Sequence, residues 1–258
     1  PVLPVACFSY GKFIILLSLI AITFIGFIAI IQNDLKKLIA YSSIAHMGFV
    51  TLGFFLAPFL LDDDYNFDVI TCIQAALIQM ISHGFISSAL FFSVGTLYIR
   101  LHTKDISFFG GIAKKMPIFS VFFMCFSLGN IGLPGTSGFV GEFLIILESF
   151  KLAWFYAFFA GLTIILSACY TLWMYKRVMF GVIKSTAVLF LDDLTVPEKI
   201  VYSSLLFTII LFGVWPKFLI DIMFYCAENI SIFMAEGLGF NCSLTVSKLL
   251  SIESLIKC

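Results

Sequence analysis

An all-α bundle of membrane-crossing helices is the fold class this sequence predicts, and three observations predict it. Hydrophobic residues fill 61% of the 258 positions, charged residues only 12%, and the mean hydropathy is +1.11. That balance leaves too little polar surface for a water-soluble domain. The apolar residues fall in runs near the roughly 20 residues a helix needs to cross hydrocarbon. One run, Pro117 to Phe150, is broken in its middle and carries an acid.

Six spans follow in order: Phe13–Gln32, Leu38–Leu60, Val69–Ile99, the interrupted Pro117–Phe150, Leu152–Tyr175 and Ile200–Phe224. The third is longer than a crossing requires, which predicts tilt or an extension beyond the bilayer. Val246 to Ile256 reads as a short helix lying in the interface. With six crossings the loops alternate sides, and the positive charges sort into two sets. Lys36, Lys37, Arg100, Lys104, Lys114, Lys115, Lys176, Arg177, Lys184 and Lys199 lie on one side. Lys12, Lys151, Lys217, Lys248 and Lys257 lie on the other, with the acidic run Asp62-Asp63-Asp64 and Asp68. The positive-inside rule makes the richer side cytoplasm or organelle matrix, so both ends of the chain face the opposite compartment.

Composition also excludes several functions. The net charge is zero and no basic tail exists, so nucleic acid is not an expected partner. Seven cysteines occur without a C-x-x-C pair, so no zinc, cluster or haem signature is present and no metal is expected. No phosphate loop and no nucleophile paired with a base can be found, and Gly110-Gly111 lacks the strand and helix of a nucleotide site. Neither a catalytic residue nor a bound cofactor is therefore expected in this chain. The 32 phenylalanines fit an AT-rich organellar genome. Residue 1 is Pro, with no charged n-region or cleavage site before the first span, which reads as a leader removed or a chain that starts mid-protein.

The interrupted span is the chain's centre. Ile118 to Leu133 forms one half-helix, and Leu133-Pro134-Gly135 ends it, because proline has no N–H to donate and glycine leaves the helical region at little cost. Thr136 or Ser137 then caps a second half, Gly138 to Phe150. Glu142 falls within about two turns of that restart, where free N–H groups and the helix dipole favour a carboxylate. Non-helical backbone at membrane depth survives only inside protein or beside a watery cavity, and broken helices of this kind build ion sites in transporters.

Charged side chains inside spans cost about 2.5–3.5 kcal/mol each at the helix centre. The few present need a reason. His46 lies four residues after Ser42 on one helical face, and Gln79, His83 and Ser87 form a polar stripe on the next span. Facing inward, these groups could pass protons, since histidine titrates near about 6.5. Glu142 would complete a row across three spans. The competing reading makes Glu142 a structural acid at the break and the histidines packing links between helices. Lys36 and Lys37 read as a snorkelling, positive-inside pair or as an entry for protons. Glu148, near the end of its span, reads as interfacial.

The residues also carry a family resemblance. Asp34-Leu35-Lys36-Lys37-Leu38-Ile39-Ala40-Tyr41-Ser42-Ser43, running on through Ala45-His46-Met47-Gly48, resembles the subunit 4 family of NADH dehydrogenase, the antiporter-like subunit of respiratory complex I. Ser82-His83-Gly84, Leu97-Tyr98, His102-Thr103-Lys104, Lys115-Met116-Pro117, Asn130-Ile131-Gly132-Leu133-Pro134-Gly135-Thr136-Ser137 and Gly141-Glu142-Phe143 continue it. The related subunits 2 and 5 usually have a motif more like HAFFKA where this chain reads His83-Gly84-Phe85-Ile86-Ser87, which favours subunit 4.

The resemblance implies a fourteen-helix proton-pumping module with two inverted five-helix repeats. Each repeat has one interrupted helix, and buried Lys, His and Glu join two half-channels. Residues 1–180 would be the second repeat, helices nine to thirteen of the family, and 181–258 a connecting loop, the last helix and a tail. His46, His83 and Glu142 would transfer protons, with Lys36, Lys37, Gln79, Ser42 and Ser87 in support and Pro134 and Gly135 at the helix break. Implied partners are other membrane-arm subunits of complex I, the neighbouring subunits 2 and 5, lipids, and a separate chain carrying the first half. NADH, FMN, iron–sulfur clusters and ubiquinone would belong elsewhere in the complex. The implied location is the mitochondrial inner membrane with the C-terminus on the intermembrane-space side. A cation/proton antiporter outside complex I and a mainly structural membrane-arm subunit are the competing readings.

Overall fold

The computed structural model describes residues 3–61, 67–183 and 185–239. Asp62-Asp63-Asp64, Lys184, Lys248, Lys257 and the expected helix Val246 to Ile256 lie outside them. Among the described residues the structure is helical, apart from a single bridge between Asp34 and Asp105. The elements are α1 (Pro4–Ile31), α2 (Leu35–Leu56), α3 (Phe67–Leu101), α4 (Pro117–Ile131), α5 (Ser137–Leu152), α6 (Trp154–Met179), α7 (Thr186–Leu189), α8 (Val196–Val214) and α9 (Lys217–Leu238).

Helix starts follow local chemistry. The Asp34 carboxylate accepts the backbone N–H groups of Lys36 and Lys37 at 2.8 and 3.1 Å and so caps α2. Proline opens α1 and α4, where its missing N–H costs nothing. A second cap for α4 comes from far along the chain: Asp193 accepts from Ile118 N and Phe119 N at 2.9 and 3.2 Å. Thr195 and Glu198 form a capping box on α8, and Glu198 also pairs with Arg100 at 2.8 Å, which ties the start of α8 to the end of α3.

α3 is the axis of the bundle and packs against α2, α4, α5, α8 and α9; α1 lies against α2 and α6. Its 35 residues extend about 52 Å, more than the hydrocarbon thickness. Two apolar cores stack along it. One holds Leu35, Leu97, Ile106, Met116, Phe119 and Met179; the other holds Ile15, Leu56, Val69, Cys72, Ile145 and Met234. The first marks the basic end, where the chain segments are stitched by backbone hydrogen bonds: Leu35 N to Lys104 O at 2.9 Å, Ile106 N to Asn33 O at 2.8 Å and Gly111 N to Phe180 O at 3.3 Å. Arg100, Lys104, Lys176 and Arg177 gather here, while Lys12 and Lys151 sit at the other end.

Two sequence expectations are corrected. The break in the fourth span begins at Gly132, not Leu133, because Gly132 takes a left-handed conformation (φ 79°) that closes α4 after Ile131. α5 then starts at Ser137 without a side-chain cap, since the Thr136 hydroxyl turns back to donate to Leu133 O at 2.7 Å. The other correction concerns the last span. Ile200 to Phe224 is two helices, because Pro216 interrupts the chain between Val214 and Lys217.

Among the described residues, six helices are long and apolar enough to cross a membrane, α9 among them. Its contacts give it a different course. Ile220 O accepts from Gln74 in the second turn of α3 at 3.0 Å, and Gly237 packs on Pro4 at the start of α1. α1 and α3 run in the same direction, so both ends of α9 meet the same, less basic end of the bundle. Asp221, Glu228 and Glu236 recur at seven- and eight-residue spacing along one face, opposite the buried Leu219, Ala227 and Met234. α9 thus runs along that end of the bundle, its outward face carrying Asp221 and Glu236 beside the exposed Phe218 and Tyr225. Cysteines replacing Asp221 and Glu236 in a cysteine-free background are expected to react with a membrane-impermeant thiol reagent from one and the same side. Labelling of the two from opposite sides would show that α9 crosses.

Candidate functional site

Between the two apolar cores lies a thin polar layer, and the broken helix supplies its centre. Glu142, 3% exposed, projects from the second turn of α5. One oxygen, Oε1, accepts two hydrogen bonds, from His46 Nδ1 on α2 at 2.6 Å and from Gln79 Nε2 on α3 at 3.0 Å. The other, Oε2, lies against Gly132, 3.0 Å from where a Cβ would stand. The break itself therefore makes room for the carboxylate. The far nitrogen of His46 meets the hydroxyl of Tyr170 on α6 at 3.4 Å, and the ring of His83 lies 5.4 Å from that of His46, centroid to centroid.

Small residues let these groups meet. A Cβ on Gly141 would stand 2.6 Å from Gln79 Oε1 and 2.8 Å from Gln79 Cα, so only glycine allows α5 to lie this close to α3. Gly213 of α8 abuts the backbone of Gly135 and Thr136 at one side of the break. Removing one partner of a buried, hydrogen-bonded ion pair leaves an uncompensated group and costs about 3–5 kcal/mol.

The structure brings together His46, His83, Gln79 and Glu142. Ser42, fully buried, lies beside the Tyr170 hydroxyl and donates to Ile39 O at 2.8 Å. Ser87 does not join: it is half-buried and its hydroxyl donates to Gly84 O at 3.3 Å. Lys36 and Lys37 do not join either, being exposed in the first turn of α2 at the basic end. Pro134 and Gly135 lie in the exposed loop of the break. Glu148, expected at the interface, is 1% exposed.

Sequence reasoning missed two members of the layer. Tyr170 touches His46, and Asn130 at the end of α4 lies beside Tyr170 and donates to Thr171 Oγ1 at 3.2 Å. A signal existed, for Thr163, Ser167, Tyr170 and Thr171 recur at helical spacing on α6 and all are buried. Chemically, Glu142, His46 and Tyr170 form a continuous line of groups able to accept and donate a proton, with His83 beside it.

Residues 2–167 match the family described as NADH:quinone oxidoreductase/Mrp antiporter, TM. Over 223 residues the chain is 43% identical to NADH-quinone oxidoreductase subunit M of Rhodobacter capsulatus, covering 86% of this chain and 41% of that relative. It is 41% identical over 230 residues to NADH-ubiquinone oxidoreductase chain 4 of Marchantia polymorpha, covering 89% and 44%. Among solved structures, respiratory complex I from Thermus thermophilus with bound NADH matches with a TM-score of 0.78 at 26% identity, over 90% of this chain and 45% of that one. The chain spans less than half the length of the curated relatives it matches. An interrupted helix delivering a buried acid to a helical bundle is the architecture that goes with these likenesses to antiporter-like membrane subunits. The chain belongs to the NADH:quinone oxidoreductase/Mrp antiporter family.

Gly141→Val is expected to push α5 off α3 and to lower stability by about 1–3 kcal/mol, as overpacking does. Gly161→Ala, at a helical position with nothing within 4 Å, should be neutral or slightly stabilising. Thermal denaturation of the purified particle compares the two, and equal midpoints would reject the close contact.

Proposed function

We propose that this chain forms one half of a proton-translocating unit in the membrane arm of respiratory complex I, with Glu142 as its central proton carrier. The observation that carries this reading is the geometry at the helix break, where an acid buried at membrane depth is bonded to His46 and Gln79 and sits one contact away from Tyr170. Redox energy released in other subunits changes the field along the arm and shifts proton affinities. A proton reaching His46, with His83 beside it, passes to Glu142 and leaves toward the less basic end. Ser42 and Gln79 orient the carriers. NADH, FMN, iron–sulfur clusters and ubiquinone are held by other subunits.

Residues 1–180 serve in this reading as the second five-helix repeat, helices nine to thirteen of the module, and 181–258 as its connection, last crossing and tail. A separate chain carries the first repeat, and antiporter-like subunits 2 and 5 and membrane lipids are the neighbours. The mitochondrial inner membrane is the proposed location, supported by the phenylalanine-rich composition. The basic end faces the matrix and the C-terminus the intermembrane space, supported by the ten-to-five division of positive charge. Purification of the native particle tests the setting, for it should oxidise NADH and contain a second polypeptide with the first repeat.

Glu142→Gln keeps the volume and removes the proton site. In the assembled complex it should lower proton pumping coupled to quinone reduction at least ~10-fold, equivalent to about 1.4 kcal/mol or more on the limiting step. Unchanged pumping rejects the role given to Glu142.

A further inference from the structure

A second buried acid lies between the central site and the less basic end, and the reading above does not use it. Glu148 stands about 9 Å along α5 from Glu142. It is 1% exposed, in the apolar core that holds Ile145, Cys72 and Leu56. Its Oε1 accepts from Lys151 Nζ at 3.0 Å, and the same ammonium donates to Asp68 Oδ1, at the start of α3, at 2.7 Å. Lys151 and Asp68 are more than one-third exposed by side chain. Glu148 Oε2 is buried without a hydrogen-bond partner among the described residues, and so is Gln79 Oε1 beside Glu142. The charged group facing Glu148 from its own helix is Lys151 and the one facing it from α3 is Asp68; the neutral thiol of Cys72 on α3 also lies near and donates to Gly53 O at 3.1 Å.

A surface clamp between α5 and α3 would need only Lys151 and Asp68, both partly in water. A carboxylate withdrawn from water with one oxygen unpaired costs stability, and such groups inside a membrane bundle mark ion and proton paths. Ile145, which lies between the two acids along α5, packs against Gly53 of α2, and Gly53 also meets the small Ala76 of α3.

The geometry points to Glu148 as a second protonation site, through which the proton leaves Glu142 for the less basic face, with Lys151 and Asp68 as its outlet. The proton from Glu142 binds Glu148 Oε2, which becomes the neutral acid. Lys151 then loses its hold on Oε1 and pairs with Asp68 alone. Release of the proton to water at the outer face restores the carboxylate and its ion pair. No electron moves and no co-reactant is consumed.

This inference rests on the function proposed for Glu142, and the test separates the two. Glu148→Gln, Glu148→Asp and Glu142→Gln are compared in the assembled complex, reading proton pumping against quinone reduction, complex yield and thermal midpoint. Glu148→Gln is expected to lower pumped protons per turnover by about threefold or more with yield and midpoint unchanged, and Glu148→Asp, which keeps an acid, to restore most of it. A structural clamp would leave pumping per turnover intact in whatever complex assembles. Wild-type pumping in Glu148→Gln, beside a clear defect in Glu142→Gln, overturns the second site alone. Wild-type pumping in both overturns the functional reading as well. Failure of both Glu148 variants to assemble makes the residue a structural clamp and also overturns the proposal.

Discussion

A carboxylate buried in an apolar bundle must be met by hydrogen-bond donors, and the placement of α2, α3 and α5 follows from meeting that need at Glu142. His46 and Gln79 come from different helices and reach the same oxygen, so α2, α3 and α5 are held in one mutual position. Gly141 permits the approach of α5 to α3, and Gly132 ends α4 where the second oxygen lies. Gly213 lets α8 lie against the backbone of Gly135 and Thr136 at the break. Bulkier side chains at these positions would separate the helices and leave the acid without partners.

The bundle is unequal along its axis. At the basic end, loops are joined by backbone hydrogen bonds, and Asp193 reaches back to cap α4. At the other end the links are an ion-paired lysine, aromatic contacts such as Phe8 on Phe59, and α9 laid across the helix ends. Among the described residues, backbone hydrogen bonds join the loops at one side of the polar layer and an ion pair links α5 to α3 at the other.

Much of this was legible beforehand, and the failures have physical causes. Glu142, His46, His83 and Gln79 stood out because titratable groups are costly in a membrane and so are rare there. Ser87 shared the face of His83 by spacing alone; helical periodicity gives direction but not whether a neighbour is present, and the hydroxyl satisfies itself on Gly84 O. Lys36 and Lys37 were close in sequence to the site-bearing helix yet lie at its far end, since α2 carries His46 about 14 Å further along its axis. Tyr170 and Asn130 were passed over because a tyrosine or an asparagine in a span has many packing uses, and only contact with His46 singles them out. The position of Glu148 near a helix end is legible in the sequence, but its burial under the start of α3 and Lys151 is not.

The sequence by itself determined the class of fold, the crossing segments apart from the end of the last one, the division of charge between two faces, and the existence of a break that brings an acid into the membrane. These are local properties: hydropathy, helix-breaking residues and loop charge act within a turn or a loop of the chain. Tertiary structure decided which polar groups touch, that one oxygen of Glu142 serves both His46 and Gln79, that α9 turns along the bundle's end after Pro216, and that a second acid is sealed beneath Lys151. Those outcomes depend on helices far apart in sequence packing at distances of a few ångströms, where a missing Cβ on Gly141 or Gly213 determines the contact, and no periodicity along one helix encodes the residue that faces it from another.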